Sequence, residues 1–416
     1  MAGSPAVAFS TREKLQRARI AAAALAQLST SQKNALLLQI ADALEAHSRR
    51  ILRANEQDLH RSNLAGAMRD RLLLTSERIT QVAASVRDVA SLPDPINEVI
   101  EEWTRPNGLL IRKVHVPLGV VGIVYESRPN VTVDAGVLCL KTGNAVVLRG
   151  GKEAAASNQV LAEIMAGVDG IPAGAIELLD SGSRDTVQEL IRARGLVDVV
   201  IPRGGPGLIT HVMENALVPV IETGAGNCHI FVDESADFEM ANRIILNAKT
   251  QRPSVCNAAE KLLVHSRIGS KFIPQIARKL IEAGVELRGD EASRRITPDV
   301  LAATEQDWSE EYLRLCMAIH VVADLNEAIE HINRYSTKHS EAIITANHEN
   351  ANRFLQQVDS AAVYWNASTR FTDGGEFGFG AEMGVSTQKL HCRGPFALKE
   401  LTSIRYQVIG TGQVRR

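Results

Sequence analysis

Residues 120–151 read VVGIVYESRPNVTVDAGVLCLKTGNAVVLRGG. The β-branched run at 120–126 is a buried strand, 131–143 is a helix closed by Gly143, and 144–150 is a second strand. Strand, helix and strand in one stretch make the right-handed crossover of a parallel sheet. The alternation continues through AIELLD, DTVQELIRAR, VDVVIPR, GPGLITHVME and PVIET, which ends at Thr223. A second series starts after Asn227: CHIFVD, a helix at 236–250, KLLVH, a helix at 267–283, VELRG, AIHVV, a helix at 324–334, EAIIT, a helix at 348–358 and AAVYW. Upstream, residues 11–92 read as consecutive helices, with Ser29 or Thr30 as an N-cap and Asp94-Pro95 as the final break. LLIRKVHVP at 109–117 is a strand turned by Pro117-Leu118-Gly119. Residues 366–395, with Gly374, Gly375, Gly378, Gly380 and Gly384, are irregular, and long glycine-rich segments in compact chains usually carry function. The class is α/β with two sheet-forming halves.

Composition narrows the function. Lys plus Arg is 46 and Asp plus Glu is 48 in 416 residues, so no basic field exists to hold nucleic acid or an anionic membrane. Aromatics are 4%, too few for a stacking surface on single strands. The five cysteines, at 139, 228, 256, 316 and 392, are odd in number and lack C-x-x-C spacing. That argues against a disulfide framework or zinc ribbon and for a reducing compartment, the cytoplasm. The scattered histidines give no metal-ligand spacing, and no metal is expected. MAGSPAVAFSTREKLQ at the start lacks the apolar core of a secretory leader, and no apolar run reaches the ~18 residues of a membrane span.

Neither G-x-G-x-x-G after the first strand of the sheet nor G-x-x-x-x-G-K-[ST] occurs. Two glycine-bearing strand ends remain: Gly150-Gly151-Lys152, and Arg203-Gly204-Gly205. They either allow tight turns or offer helix N-terminal N–H groups to phosphate, and the cation at each favours a nucleotide. Cys256, in QRPSVCNAAEKLLVH, lies in a polar irregular segment between elements. A lone cysteine is commonly a small buried hydrophobe, but this position argues against core packing. Cys139 and Cys316 stand in apolar runs and read as core.

VPLGVVGIVYESRPNVTVDAGVLCLKTGNAVVLRGG, VIETGAGNCHIFVD, QRPSVCNAAEKLLVH and DGGEFGFGAEMGVSTQKLHCRGP together resemble the γ-glutamyl phosphate reductase family, a divergent branch of the aldehyde dehydrogenase superfamily. The likeness covers nearly the whole chain. It implies an aldehyde-dehydrogenase-like fold: two Rossmann-like α/β domains and a small β element for oligomerisation. The cofactor-binding domain would take residues 1–103 and 121–225, and the catalytic domain 226–366. The oligomerisation element would take 104–120 and 388–416, with 367–387 as a glycine-rich connection. The activity it implies is NADPH-dependent reduction of L-glutamyl 5-phosphate to L-glutamate 5-semialdehyde and phosphate, the second step of proline biosynthesis from glutamate. The runner-up is an acylating aldehyde dehydrogenase acting on an acyl-CoA.

By motif position the resemblance makes Cys256 the nucleophile and Asn130, in ESRPN, the oxyanion donor, beside a reading of Asn130 as the cap of a helix starting at Val131. Lys249 and Arg252 are candidates to favour the thiolate. Glu222 matches the superfamily's water-activating glutamate, but Thr-Gly-Ala follows it instead of Leu-Gly-Gly, and hydrolysis would waste the substrate; a structural or nicotinamide-side role is the alternative. Arg149 and Lys152 fall where a cofactor ribose lies, and two cations there favour a 2′-phosphate. Arg203, Gly204 and Gly205 match the pyrophosphate loop, and Glu311 a contact to the nicotinamide ribose. Arg128 and Ser386–Arg393 are candidates for holding the amino-acid end of the substrate. The family further implies self-association and glutamate 5-kinase as the supplier of a labile acyl phosphate.

Overall fold

The computed structural model describes residues 9–126 and 128–415. The first eight residues, read above as part of a start without an apolar leader, lie outside these. Two compact units form. One comprises the chain up to Glu222, Phe379–Gly384 and the chain from Phe396 on; the other comprises Thr223–Gly378 and Val385–Pro395.

In the first unit the helices Thr11–Leu25, Thr30–Ala46, Ser48–Arg61, Gly66–Leu72 and Ser76–Ser91 precede the sheets. Ser29 rather than Thr30 is the cap, in a reciprocal box with Gln32. The last of these helices stops at Ser91, short of Asp94-Pro95, because Leu92 precedes Pro93 and is driven to extended backbone. A four-stranded parallel sheet has the order Ile176–Leu178, Ala145–Arg149, Val120–Tyr125, Val199–Arg203. Val120–Tyr125 is buried throughout, as a parallel strand covered on both faces requires. The chain order reverses between Val120–Tyr125 and Val199–Arg203, so the switch-point crevice of a doubly wound sheet opens at Tyr125 and Arg203. PVIET does not become a fifth strand. It makes a single bridge, Val200 to Val220, since Pro219 has no N–H for a ladder.

A separate antiparallel sheet places Leu110–Pro117 between Val99–Thr104 and Thr402–Ile409. The pairing of the strand before residue 117 with the terminal stretch is present, and Val99–Thr104 joins it as a third strand. Its Thr402–Ile409 edge exposes Ile404, Tyr406, Val408 and Ile409.

The second unit is built on a seven-stranded sheet. Its order is Leu301–Ala302, Glu286–Gly289, Cys316–Val322, Ala259–His265, Cys228–Val232, Ser340–Ile344, Ala362–Trp365, with every pairing parallel. The helices Phe238–Thr250, Ser266–Glu282, Leu325–Tyr335 and His348–Gln357 lie within two residues of the expected ranges. Phe231, Leu263 and Phe272 are fully buried here, each worth about 1.5–3 kcal/mol. No helix among the described residues is long and apolar enough to cross a membrane.

Candidate active site

The second unit carries Cys256. It stands in the turn at 253–257, after the helix Phe238–Thr250 and before the strand Ala259–His265. It is half-buried, whereas Cys139, Cys228, Cys316 and Cys392 are all buried. It sits at the amino edge of its sheet, although open α/β sheets usually present ligands at their carboxyl edge.

The surrounding backbone is tight. A Cβ added to Gly226 would lie 1.4 Å from the Cys256 carbonyl oxygen, and one on Gly224 would lie 2.4 Å from Thr387 Cγ2. Gly226 N–H donates to Glu311 Oε1 at 2.7 Å, so Glu311 braces the segment pressed against Cys256. Asn257, the next residue, is fastened from both sides. Its amide donates to Thr372 O at 2.9 Å, and its carbonyl accepts from Thr369 Oγ1 at 2.7 Å. The Arg370 guanidinium donates to Asn257 Oδ1 and, at 2.9 Å, to Gln251 Oε1. Burial and then the like charge of Arg252 work against the Arg370 cation, and Cys256 works for it, so the Arg370 guanidinium is within electrostatic reach of Cys256. Lys249 is elsewhere engaged: its ammonium is fully buried and ion-paired to Glu260 Oε2 at 3.0 Å. Burial pushes Glu260 up to about 7 and Lys249 down, so neither charge is available to Cys256.

The first unit carries the remaining candidates. Arg128 is the N-cap residue of the helix Pro129–Lys141, and Pro129 opens it. Asn130 is therefore inside the first turn and is not the cap. Its amide donates to Asp134 Oδ2 at 3.0 Å, one turn on. Packing around Asp134 pushes its carboxyl up to about 6, against the opposing pull of that hydrogen bond and of Arg203. Asn130, Asp134 and Arg203 thus share the switch-point end of the sheet. There Gly205 N–H donates to Glu126 Oε2 at 2.8 Å, and a Cβ on Gly204 would lie 2.6 Å from the same oxygen. The start of the helix Pro206–Asn215 holds an anionic oxygen, as helix N-termini do.

The other glycine turn is occupied differently. Asp58 accepts from Ala156 N at 3.0 Å and Ser157 N at 2.7 Å, closing the start of the helix Ala155–Ala166. Arg149 donates to the Ser183 carbonyl at 2.9 Å and to the Gly150 carbonyl at 3.1 Å, so its fork ties the loop after Leu178. Lys152 is exposed; its carbonyl accepts from Ala155 N–H, and among the described residues no side-chain hydrogen bond or ion pair holds its ammonium. Glu222 is half-buried on the extended segment that leads to Gly224.

Residues 6–298 match the model of the aldehyde dehydrogenase family. The chain belongs to the aldehyde dehydrogenase family. Within the family it is 64% identical over 409 residues to the γ-glutamyl phosphate reductase of Koribacter versatilis, covering 98% of this chain and all of that one. It is 57% identical to that of Moorella thermoacetica, over 99% and 100% of the two chains. The crystal structure of the γ-glutamyl phosphate reductase of Thermotoga maritima superposes with a TM-score of 0.96 at 49% identity, over 98% and 100% of the chains. These likenesses also place the chain among the γ-glutamyl phosphate reductases of the family.

Four participants escaped the sequence reading. Asp58, Glu126, Asp134 and Arg370 reach their partners through the fold, and only Asp134, one turn after Asn130, had a local signal in its i, i+4 spacing.

Proposed function

We propose that this chain reduces L-glutamyl 5-phosphate to L-glutamate 5-semialdehyde and inorganic phosphate, with NADPH, in the cytoplasm. The observation that carries this reading is Cys256, half-buried in a turn braced through Asn257, Arg370 and Gly226 while four other cysteines are buried. The Cys256 thiolate attacks the acyl carbon and phosphate leaves, giving a thioester. Asn130 has two amide protons; one goes to Asp134, and the other is the donor assigned to the oxyanion. After reduction the Cys256 hemithioacetal collapses and releases the semialdehyde. NADPH, when bound, supplies the hydride.

The chain's own residues fit such a cofactor. Gly205 N–H already holds a carboxylate oxygen, which is how a pyrophosphate oxygen would be held, and Lys152 is an uncommitted cation. Arg149, committed to loop carbonyls, is left the smaller share in reading the 2′-phosphate. Glu311, whose Oε1 accepts from Gly226 N–H, is the residue assigned to the nicotinamide ribose. The exposed apolar edge at Thr402–Ile409 supports self-association, because an open apolar strand otherwise invites uncontrolled pairing. Glutamate 5-kinase fits as the source of so labile a substrate.

The test runs the reaction backward. With glutamate 5-semialdehyde and phosphate together, NADP⁺ should be reduced, and omission of either should stop it. Turnover without phosphate, or only with coenzyme A, would overturn the assignment. Lys152→Glu should weaken NADPH binding at least tenfold, about 1.4 kcal/mol, and spare NADH. Titrating both cofactors checks this, and equal losses would place the 2′-phosphate elsewhere. Glu222→Gln should keep kcat/KM within about tenfold, since no water needs activation. A loss of several thousandfold, about 5 kcal/mol, would make Glu222 a catalytic group.

A further inference from the structure

The mechanism above leaves Cys228 unused, yet it is the cysteine set closest to the nucleophile's turn. It opens the strand Cys228–Val232 and is fully buried. Its Sγ lies 3.2 Å from the Cys256 carbonyl oxygen and 4.0 Å from His339 Nδ1. Standard bond lengths put a residue's Cα within about 2.8 Å of its own carbonyl oxygen, so Cys228 Sγ is within about 6 Å of Cys256 Cα. A disulfide spans Cα atoms about 4.4–6.8 Å apart, and the Cys228 sulfur stands against the backbone of Cys256 itself, so closing the bridge asks the Cys256 side chain to turn back onto it. Cys256 stands in a turn and not in a ladder, so its side chain can swing without breaking sheet pairing. Both thiols are reduced in this structure.

We propose that Cys228 is the resolving thiol of Cys256, closing a reversible disulfide when a hydroperoxide oxidises the nucleophile. The proposal rests on reading Cys256 as the reactive thiolate. The two sulfurs are unequal in the way such a pair needs. Cys256 keeps solvent contact and can meet a peroxide. Burial, then the negative charges of Glu341, Cys256, Glu311 and Glu260, hold the Cys228 thiol well above the usual range, so it stays protonated and is not the first target.

The steps balance. The Cys256 thiolate attacks one peroxide oxygen; the S–O bond forms, the O–O bond breaks, and hydroxide or alkoxide leaves with its electron pair. Cys228 sulfur then attacks the Cys256 sulfenic sulfur. The S–S bond forms and the S–O bond breaks. The Cys228 proton goes to the departing hydroxide, giving water. A dithiol returns both cysteines to thiols and is itself oxidised to a disulfide. Without a resolving thiol, further peroxide carries Cys256 to the sulfinic acid, which a dithiol cannot reduce.

The full-length protein is treated with hydrogen peroxide in the absence of substrate, alkylated and mapped by mass spectrometry, with activity measured before and after dithiothreitol. The wild type should lose activity, yield a peptide pair joined through Cys228 and Cys256, and recover with dithiothreitol. Cys228→Ala and Cys228→Ser should turn over before oxidation, lose activity in peroxide, fail to recover, and carry sulfinic acid at Cys256. A wild type with sulfinic Cys256 and alkylatable Cys228 overturns the proposal, as do variants that recover like the wild type. If neither variant folds, the wild-type peptide map decides alone. A separate arm distinguishes the two readings: turnover retained by Cys256→Ser defeats the nucleophile, whereas an unlinked pair in an enzyme that needs Cys256 defeats only the resolving role.

Discussion

Cys256→Ser should abolish turnover, by about 10⁴-fold or more, while the protein remains folded and still binds its nicotinamide cofactor. Serine keeps the shape of the side chain, but its hydroxyl is a far weaker nucleophile at neutral pH and a far worse leaving group from an acyl or hemiacetal adduct. The turn itself should survive, since Asn257, Arg370 and Gly226 brace it through neighbouring atoms and not through the sulfur. Steady-state kinetics with a cofactor titration and a melting curve separate the two effects. Cys139→Ser and Cys316→Ser should do the opposite. Both thiols are fully buried, so a hydroxyl at Cys139 costs about 1–3 kcal/mol in stability and little in kcat, and less at Cys316, whose Sγ already faces Glu286 Oε1 at 3.5 Å. Wild-type-like turnover in Cys256→Ser would defeat the thioester mechanism.

How far this site was readable in the sequence depends on the range of each interaction. The strands Val120–Tyr125, Ala145–Arg149, Cys228–Val232 and Ala259–His265 announce themselves because a strand covered on both faces is a continuous apolar run, a local property. Gly143, at φ +70, likewise ends its helix through its own backbone freedom. Cys256 stood out because its neighbours Gln251-Arg252-Pro253-Ser254 cannot be core. What occupies the glycine turns was not legible. Asp58 closes the helix at Ala155 from 98 residues away, and Glu126 reaches Gly205 across 79. Nothing near Asp58 marks it as other than a helix-surface acid. The same holds for Lys249: its spacing from Cys256 suggests electrostatic help, but the strand register delivers Glu260 to it first. Resemblance supplied roles by position, and the packing decides how many donors of each residue remain for the task.

The glycines of VIETGAGN give the sharpest test of that packing. Gly226→Ala should lower kcat by about 100-fold or more, the order expected when a catalytic group moves by about 1 Å. An alanine Cβ would stand 1.4 Å from the Cys256 carbonyl oxygen, 2.3 Å from its carbonyl carbon and 2.7 Å from its Cα. All three are backbone atoms of the nucleophile itself, so no rotamer relieves the overlap and the turn must shift. Overpacking of this kind typically costs about 1–3 kcal/mol of stability as well. Gly224→Ala meets a different obstacle, Thr387 Cγ2 at 2.4 Å and Oγ1 at 2.6 Å, which are the ends of a side chain. Its defect should be partly rescued by Thr387→Ala, which removes both atoms, whereas no truncation rescues Gly226→Ala. Gly207→Ala is the control: nothing lies within 4 Å of its Cβ, it is inside a helix, and alanine there should be neutral or stabilising. Kinetics and melting curves on the four variants check this, and full activity in Gly226→Ala would mean that the turn around Cys256 is not held by the backbone contact on which its geometry rests.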